Sequence, residues 1–387
     1  MKQKTIALLV VAALIIAAIF YLESQKATAG HEGMEAASQV NISVTESNDQ
    51  DATASVFSAS GYFPDNEIIA EKSRQYAAAP ELAGITGFVN TPEFTLSQLR
   101  GKVVLIDFWT YSCINCIRTQ PYLNAWHDAY AGDGLVIVGV HTPEFAFEKE
   151  TANVQQAIER EGIKYPVVQD NNKATWSAYG NRFWPRKYII DIDGFIRYDH
   201  IGEGAYDETE DMIKQLLEER NERLGIEMDM NKSALPVAVT DVDFSKILTP
   251  ELYFGYEFDR GTLGNREGFA PEYITTYAVP EYLEPNKAYL IGSWLNKADY
   301  AEVSGESGTV LLVYSAKNVN IVASSDNPAE IQAMLDGAVV NSSNAGIDGT
   351  TVQAEKLYNI VSSPEYGVHS IEITAPKGFR IYTFTFG

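Results

Sequence analysis

Cysteine is almost absent. The 387 residues hold two, Cys113 and Cys116. That excludes a framework of structural disulfides and leaves no third thiol as an internal relay. Electrons handled by this pair must come from, and go to, other molecules. Histidine is scarce too: His31, His127, His141, His200 and His369 show no paired spacing. Two cysteines alone do not complete the four ligands of a structural zinc site, so no metal and no cofactor is expected. Positive charge is short, with 29 Lys and Arg against 52 Asp and Glu, a net charge of −23. This argues against a nucleic-acid partner. The acid is spread rather than blocked, which reads as a soluble, self-repelling surface. Long apolar runs are missing but for one, TIALLVVAALIIAAIFYL at residues 5–22, preceded by Lys2 and Lys4. Basic residues before such a run mark an export signal or a signal anchor. The run is just long enough to span a bilayer. Ala27-Thr28-Ala29 offers a cleavage site, but it lies seven residues beyond the run. A retained anchor is therefore favoured over a cleaved signal peptide. In either case the chain from about residue 23 onward is extracytoplasmic, in the periplasm or on the outer face of the cytoplasmic membrane.

Against that background the two cysteines sit in a distinctive place. Residues 102–121 read KVVLIDFWTYSCINCIRTQP. The apolar run 103–109 predicts a buried strand, and the pattern after Cys113 turns helical. A buried strand that ends in C-x-x-C and opens a helix is the thioredoxin-type redox arrangement. Cys113, nearer the helix start, is the candidate nucleophile. Backbone N–H groups and the helix dipole favour a thiolate there. Cys116, one turn further in, is the candidate resolving thiol of the same disulfide. Asp107 lies inside the apolar strand, where a carboxylate is costly without a task or a partner. A role as proton acceptor for Cys116 is set modestly ahead of a plain hydrogen-bonding role.

The rest of the chain divides around this motif. Residues 23–78 are polar and read as a spacer with a short helix at its end. Residues 79–225 alternate strand and helix and then show β-β-α, with Asp193-Gly194 as a hairpin turn. This predicts a mixed sheet covered by helices, the thioredoxin order with one extra helix. Residues 226–240 read as a linker. From 241 to 387 short Tyr-, Val- and Thr-rich runs separated by turn residues, 309–314 and 319–323 among them, predict an all-β sandwich, jelly-roll-like. Pro185, ahead of the hairpin, is the candidate cis-proline facing the disulfide. Trp109, Tyr111 and Trp184 are expected to form an apolar, substrate-binding rim, with the core as the alternative place for Trp109. Arg118 is placed near the thiolate or in solvent. Glu144 follows the strand at 135–140 and has two readings, a place near the site or, favoured, a surface loop.

These strings support a family. WTYSCINCIR, the segment at 139–145 (GVHTPEF) and the segment at 183–191 (FWPRKYIID) resemble the periplasmic part of DipZ-type proteins, in the TlpA/ResA/redoxin branch of the thioredoxin superfamily. The region from residue 248 on resembles the β module that follows thioredoxin in those chains, a module similar in form to carbohydrate-binding modules. The resemblance implies a thiol–disulfide oxidoreductase acting on disulfide-containing proteins, with glycan or cell wall as a further partner of the β module. DipZ-type chains often carry a multi-span electron-transfer domain. Here a single apolar run stands instead, so the implied reductant is a separate membrane protein of the CcdA/DsbD kind. Two other readings stay open. A redoxin-type thiol peroxidase fits Thr110, three residues before Cys113, but has Ile106 where its pattern needs proline. A binding protein would use the C-terminal sandwich to dock glycan or protein.

Overall fold

The computed structural model describes residues 62–227, 232–235, 237, 242–340 and 345–387. The apolar run 5–22, the cleavage candidate at 27–29, spacer residues 23–61 and much of the 226–240 linker lie outside the described residues. Among the described residues no helix is long and apolar enough to cross a membrane.

Residues 62–227 build a six-stranded mixed sheet between helices. The first helix, α1 (Asn66–Lys72), is capped by Asp65, whose carboxylate accepts the amides of Glu67 and Ile68. Then come β1 (Gly87–Val89), β2 (Val103–Trp109), α2 (Ile114–Tyr130), β3 (Leu135–His141), α3 (Thr151–Arg160), β4 (Val167–Gln169), α4 (Ala174–Ala178), β5 (Arg186–Ile190), β6 (Ile196–Ile201) and α5 (Tyr206–Leu224). Sheet order is β1-β4-β3-β2-β5-β6. β2, β3 and β4 run parallel, while β5 and β6 form an antiparallel hairpin. Gly194 turns that hairpin at φ 90°, a conformation that favours glycine. This is the thioredoxin-like fold.

Alternation decides what faces what. In β2, Val104, Ile106 and Phe108 enter one core with Leu99 and Tyr188. Val103, Leu105 and Trp109 enter the other, against Cys116, Leu123 and Trp126 of α2. Asp107 shares this second face, so α2 roofs it. Lys72 of α1 reaches Asp191, Asp193 and Glu219, and Arg197 and Arg223 complete the cluster. These cations already balance the three acids, so the group is a structural tie and not a metal site.

Residues 242–387 form a large antiparallel sheet. Its strands are β7 (Leu252–Tyr253), β8 (Ile274–Tyr277), β9 (Ala288–Asn296), β10 (Ala301–Ser325), β11 (Ala329–Glu330), β12 (Gln332–Leu335), β13 (Ala338–Val339), β14 (Thr351–Val352), β15 (Lys356–Pro376) and β16 (Phe379–Phe386). β11 and β14 pair apart from the rest. The runs at 309–314 and 319–323, separate in the sequence reading, are one long strand, β10. It bends at a bulge between Ala316 and Asn318 as it pairs with β15. Ile381 of β16 is registered with both Ala301 and Ala323, so the sheet curls until two parts of β10 flank one strand. Its inner face is a core that includes Trp294, Val310, Leu312, Ile321, Ile373 and Phe384.

The two regions meet through aromatic packing. Tyr253, Val322 and Tyr382 of the sheet join the core beneath α2. Phe147 meets Tyr382 edge to face at 4.8 Å, and Phe145 lies 5.3 Å from both Phe258 and Tyr382.

Candidate active site

Cys113 is the N-cap of α2. Its Sγ accepts the amide N–H of Cys116 at 3.2 Å, and both cysteines are free thiols. The sulfur thus faces a backbone donor and the positive end of a helix dipole, both suited to negative charge. Cys113 is partly exposed, while Cys116 is 1% exposed. Burial drives the Cys116 thiol well above its ordinary range. The Cys113 sulfur and the Asp107 carboxyl push it further in the same direction. One sulfur is therefore open to a partner and the other is held as a thiol.

Asp107 lies beneath them, 1% exposed, and neither carboxyl oxygen has a hydrogen-bond partner. Desolvation pushes it up to about 7, opposed by the ammonium of Lys187. Lys187 is its direct partner in the β2–β5 ladder, fully buried, with Nζ donating to the carbonyl of Gly202 at 3.1 Å. Burial lowers the lysine, while Asp107, Cys116 and Glu203 hold it up. On the other side Asp107 pairs with Gly139, where a Cβ would stand 3.0 Å from Trp109 Nε1. The site thus contains a carboxyl near neutrality and a buried cation, both within electrostatic reach of Cys116.

The strand–helix connection is braced from β3. Ser112 donates to Glu148 Oε1 at 2.6 Å, and Glu148 Oε2 accepts the amides of Glu144 and Phe145 at 2.6 and 2.9 Å. Burial pushes the Glu148 carboxyl up against these bonds. His141 is fully buried and held down to about 3, so its ring is neutral. It stacks on Tyr111 at 5.6 Å.

Pro185 follows a cis peptide bond from Trp184. Trp184 Nε1 donates to the carbonyl of Thr142 at 3.0 Å, and its ring packs on Trp176 at 4.3 Å. Trp184 and Cys113 line one cleft of about 510 Å³. Its opposite wall comes from the C-terminal sheet region and includes Phe244, Pro250, Glu251, Tyr253, Arg260 and Phe386.

Three sequence expectations need correction. Trp109 and Tyr111 are 1% and 2% exposed, so neither presents a face to a substrate. Both side chains pack into the core beneath α2. Arg118 is neither free in solvent nor turned to the sulfur, because Glu203 binds its guanidinium at 2.7 Å and Asn115 Oδ1 accepts from it at 2.6 Å. Glu144 is not a surface-loop residue. It is half-buried in the cleft, and its Oε1 accepts the hydroxyl of Tyr253 at 2.7 Å. Lys187 and Glu148 escaped the sequence reading altogether. The one signal for Lys187 was a second cation, after Arg186, just ahead of the run Tyr188-Ile189-Ile190.

The sequence is similar to that of known proteins. The Redoxin family matches residues 78–217, and a family described as "Thioredoxin like C-terminal domain" matches residues 249–387. Protein DipZ of Mycobacterium tuberculosis is 37% identical over 314 residues, which is 80% of this chain and 43% of DipZ. The chain thus spans less than half the length of that relative. Thiol-disulfide oxidoreductase YkuV of Bacillus subtilis is 30% identical over 141 residues, 36% of this chain and 94% of YkuV. Thiol-disulfide oxidoreductase ResA of Geobacillus thermodenitrificans is 33% identical over 126 residues, 33% of this chain and 67% of ResA.

Proposed function

This chain belongs to the thioredoxin-like thiol–disulfide oxidoreductases of the redoxin family, and we propose that within that family it reduces protein disulfides outside the cytoplasm. The observation that carries the reading is the asymmetry of the pair: a half-exposed sulfur at a helix cap above a buried thiol and a carboxyl near neutrality. Cys113 attacks a client disulfide and forms a mixed disulfide. Cys116 gives its proton to Asp107 and its sulfur attacks Cys113; the Cys113–client bond breaks and the client leaves as a thiolate that takes a proton from water. Lys187 steadies the carboxylate that this transfer creates. Pro185 and Trp184 flank the bound client segment.

The pair ends oxidised and needs two electrons to act again. With no third thiol in the chain, we assign that supply to a membrane thiol reductant of the CcdA/DsbD kind. The apolar run 5–22 is the proposed anchor beside it, with 23–78 as spacer, 79–225 as redox domain, 226–240 as linker and 241–387 as a jelly-roll-like sandwich. We assign the sandwich to client selection, because its residues wall the cleft that holds Cys113. Glycan or cell wall as its partner is a narrower form of that proposal, to be tested by binding to isolated cell-wall fractions. A peroxidase reading is disfavoured. Thr110 Oγ1 lies 3.4 Å from His141 Nε2, and Ile106 stands where that chemistry has proline.

The test is a trap. The Cys116→Ala chain should accumulate mixed disulfides with clients through Cys113, visible as bands that collapse under reductant. Equal trapping by Cys113→Ala would reverse the two roles. A redox titration of the pair decides the direction: a potential above that of ordinary client disulfides would make the protein an oxidant.

A further inference from the structure

One group in the cleft has no part in the mechanism above. Glu144 Oε1 accepts from the Tyr253 hydroxyl at 2.7 Å, and Glu251 Oε2 lies 3.0 Å from the same hydroxyl. A tyrosine hydroxyl has one hydrogen for these two oxygens. The second contact is attractive only if one of the two carboxyls keeps its own proton. That carboxyl lies in the cleft that holds Cys113. The backbone fixes Glu144 there: its amide bonds to Glu148, and Glu148 bonds to Ser112, the residue before Cys113.

We propose that Glu144 is the proton donor to the client sulfur that leaves when Cys113 attacks. This rests on the oxidoreductase reading and deepens it. The step balances as follows. The Cys113 thiolate forms a bond to one client sulfur, and the client S–S bond breaks. The other client sulfur departs with the electron pair and takes the proton of the Glu144 carboxyl. The Tyr253 hydrogen bond stays on the carboxylate left behind, which makes Tyr253 a positioning residue supplied by the C-terminal sheet. In the reverse reaction the same carboxylate accepts the proton of a client thiol.

The charges around Glu144 suit the task. Burial pushes its carboxyl up to about 8, Glu251 and Glu148 add to this, and the Tyr253 hydrogen bond and Arg260 oppose it. An ordinary thiol titrates at about 8.5, so donor and acceptor are closely matched, the condition under which proton transfer helps most. Asp107 cannot do this work, because it lies under α2 on the Cys116 side.

The experiment uses the full chain with Cys116→Ala, in which Cys113 is the sole thiol, and two disulfide probes. Bis(2-hydroxyethyl) disulfide releases an alkyl thiolate that needs a proton. 5,5′-Dithiobis(2-nitrobenzoate) releases an aromatic thiolate that does not. Adding Glu144→Gln should slow exchange with the alkyl probe about 10²-fold and leave the aromatic probe within about twofold of the parent. Equal slowing with both probes would make Glu144 structural, and no slowing with either would remove it from the reaction. Both outcomes overturn the proposal while sparing the oxidoreductase reading. A parent that reacts with neither probe faster than a free thiol would overturn both. The parent alone supplies a second readout. Its alkyl-to-aromatic rate ratio should fall as pH rises through about 8, and a ratio flat across that range would overturn the proposal even if Glu144→Gln failed to fold.

Discussion

The two halves of the described chain hide different things. Among the described residues, all the charged side chains buried from solvent lie in the redox half: Asp107, Asp133, His141, Glu148, Asp170, Lys187, Asp191, Asp193, Glu210 and Arg220. The buried polar residues of the C-terminal half are Thr, Asn and Ser only. A neutral polar group needs one hydrogen bond to be accommodated, whereas a buried charge needs a partner or a change of protonation. The first half accommodates such groups inside it, some as structural ties and three, Asp107, Lys187 and Glu148, around the reactive pair. The second keeps an apolar core and sets Glu251 and Arg260 in the cleft.

That contrast can be broken most sharply at the sulfurs. Removing Cys113 should abolish turnover of a protein disulfide in an insulin-type reduction assay, while removing Cys116 should abolish turnover and leave one attack at Cys113. Next in size is Asp107→Asn, expected to slow release of the client from Cys113 by about 10²-fold, read by stopped-flow decay of a labelled mixed disulfide. The same change should raise stability. A carboxyl raised to about 7 in the folded chain, from the ordinary aspartate value of 3.8, binds its proton more tightly folded than unfolded. Its contribution therefore becomes less favourable as pH climbs from 3.8 toward 7, and the whole penalty is present above 7. Asp107→Asn should remove up to about 4 kcal/mol of it, with no gain at pH 3. Urea midpoints at pH 3 and 8 check the sign.

In the other half a large effect should be purely structural. Trp294 is fully buried, so Trp294→Ala should cost about 3–5 kcal/mol, seen in the urea midpoint, while folded molecules keep the parent's Cys113 reactivity toward an aromatic disulfide. The smallest effect is expected where the halves touch. Tyr253→Phe removes the hydrogen bond to Glu144 and should cost about 1 kcal/mol, read by thermal unfolding at neutral pH.

The redox half was legible because its signals are local. The apolar strand before Cys113, the helical period after it and Asp193-Gly194 all act within a few residues of themselves, and the strands and helices lie close to where these place them. Where the motif carries the site, placement was legible: Cys113 caps α2, Asp107 lies within electrostatic reach of Cys116, and Pro185 follows a cis bond. It was opaque where burial comes from afar. Glu144 reads as a loop acid until Tyr253, 109 positions later, covers it. Tyr111 and Trp109 read as a rim until α2 and β3 close over them. In the C-terminal half β10 read as two strands, because polar residues at 315–318 look like a turn. A bulge lets the ladder continue through them. β12 and β13 carry too short an apolar pattern to stand out.

β16 pairs with two separate parts of β10 and with β7, and Thr383, Thr385 and Phe386 from it line the cleft. These residues come more than 260 positions after Cys113. A chain made from its N-terminus completes the reactive pair long before it completes the wall opposite. Ladders of such long sequence separation are also slow to close. On the proposed reading, client selection therefore waits for the last strand to dock.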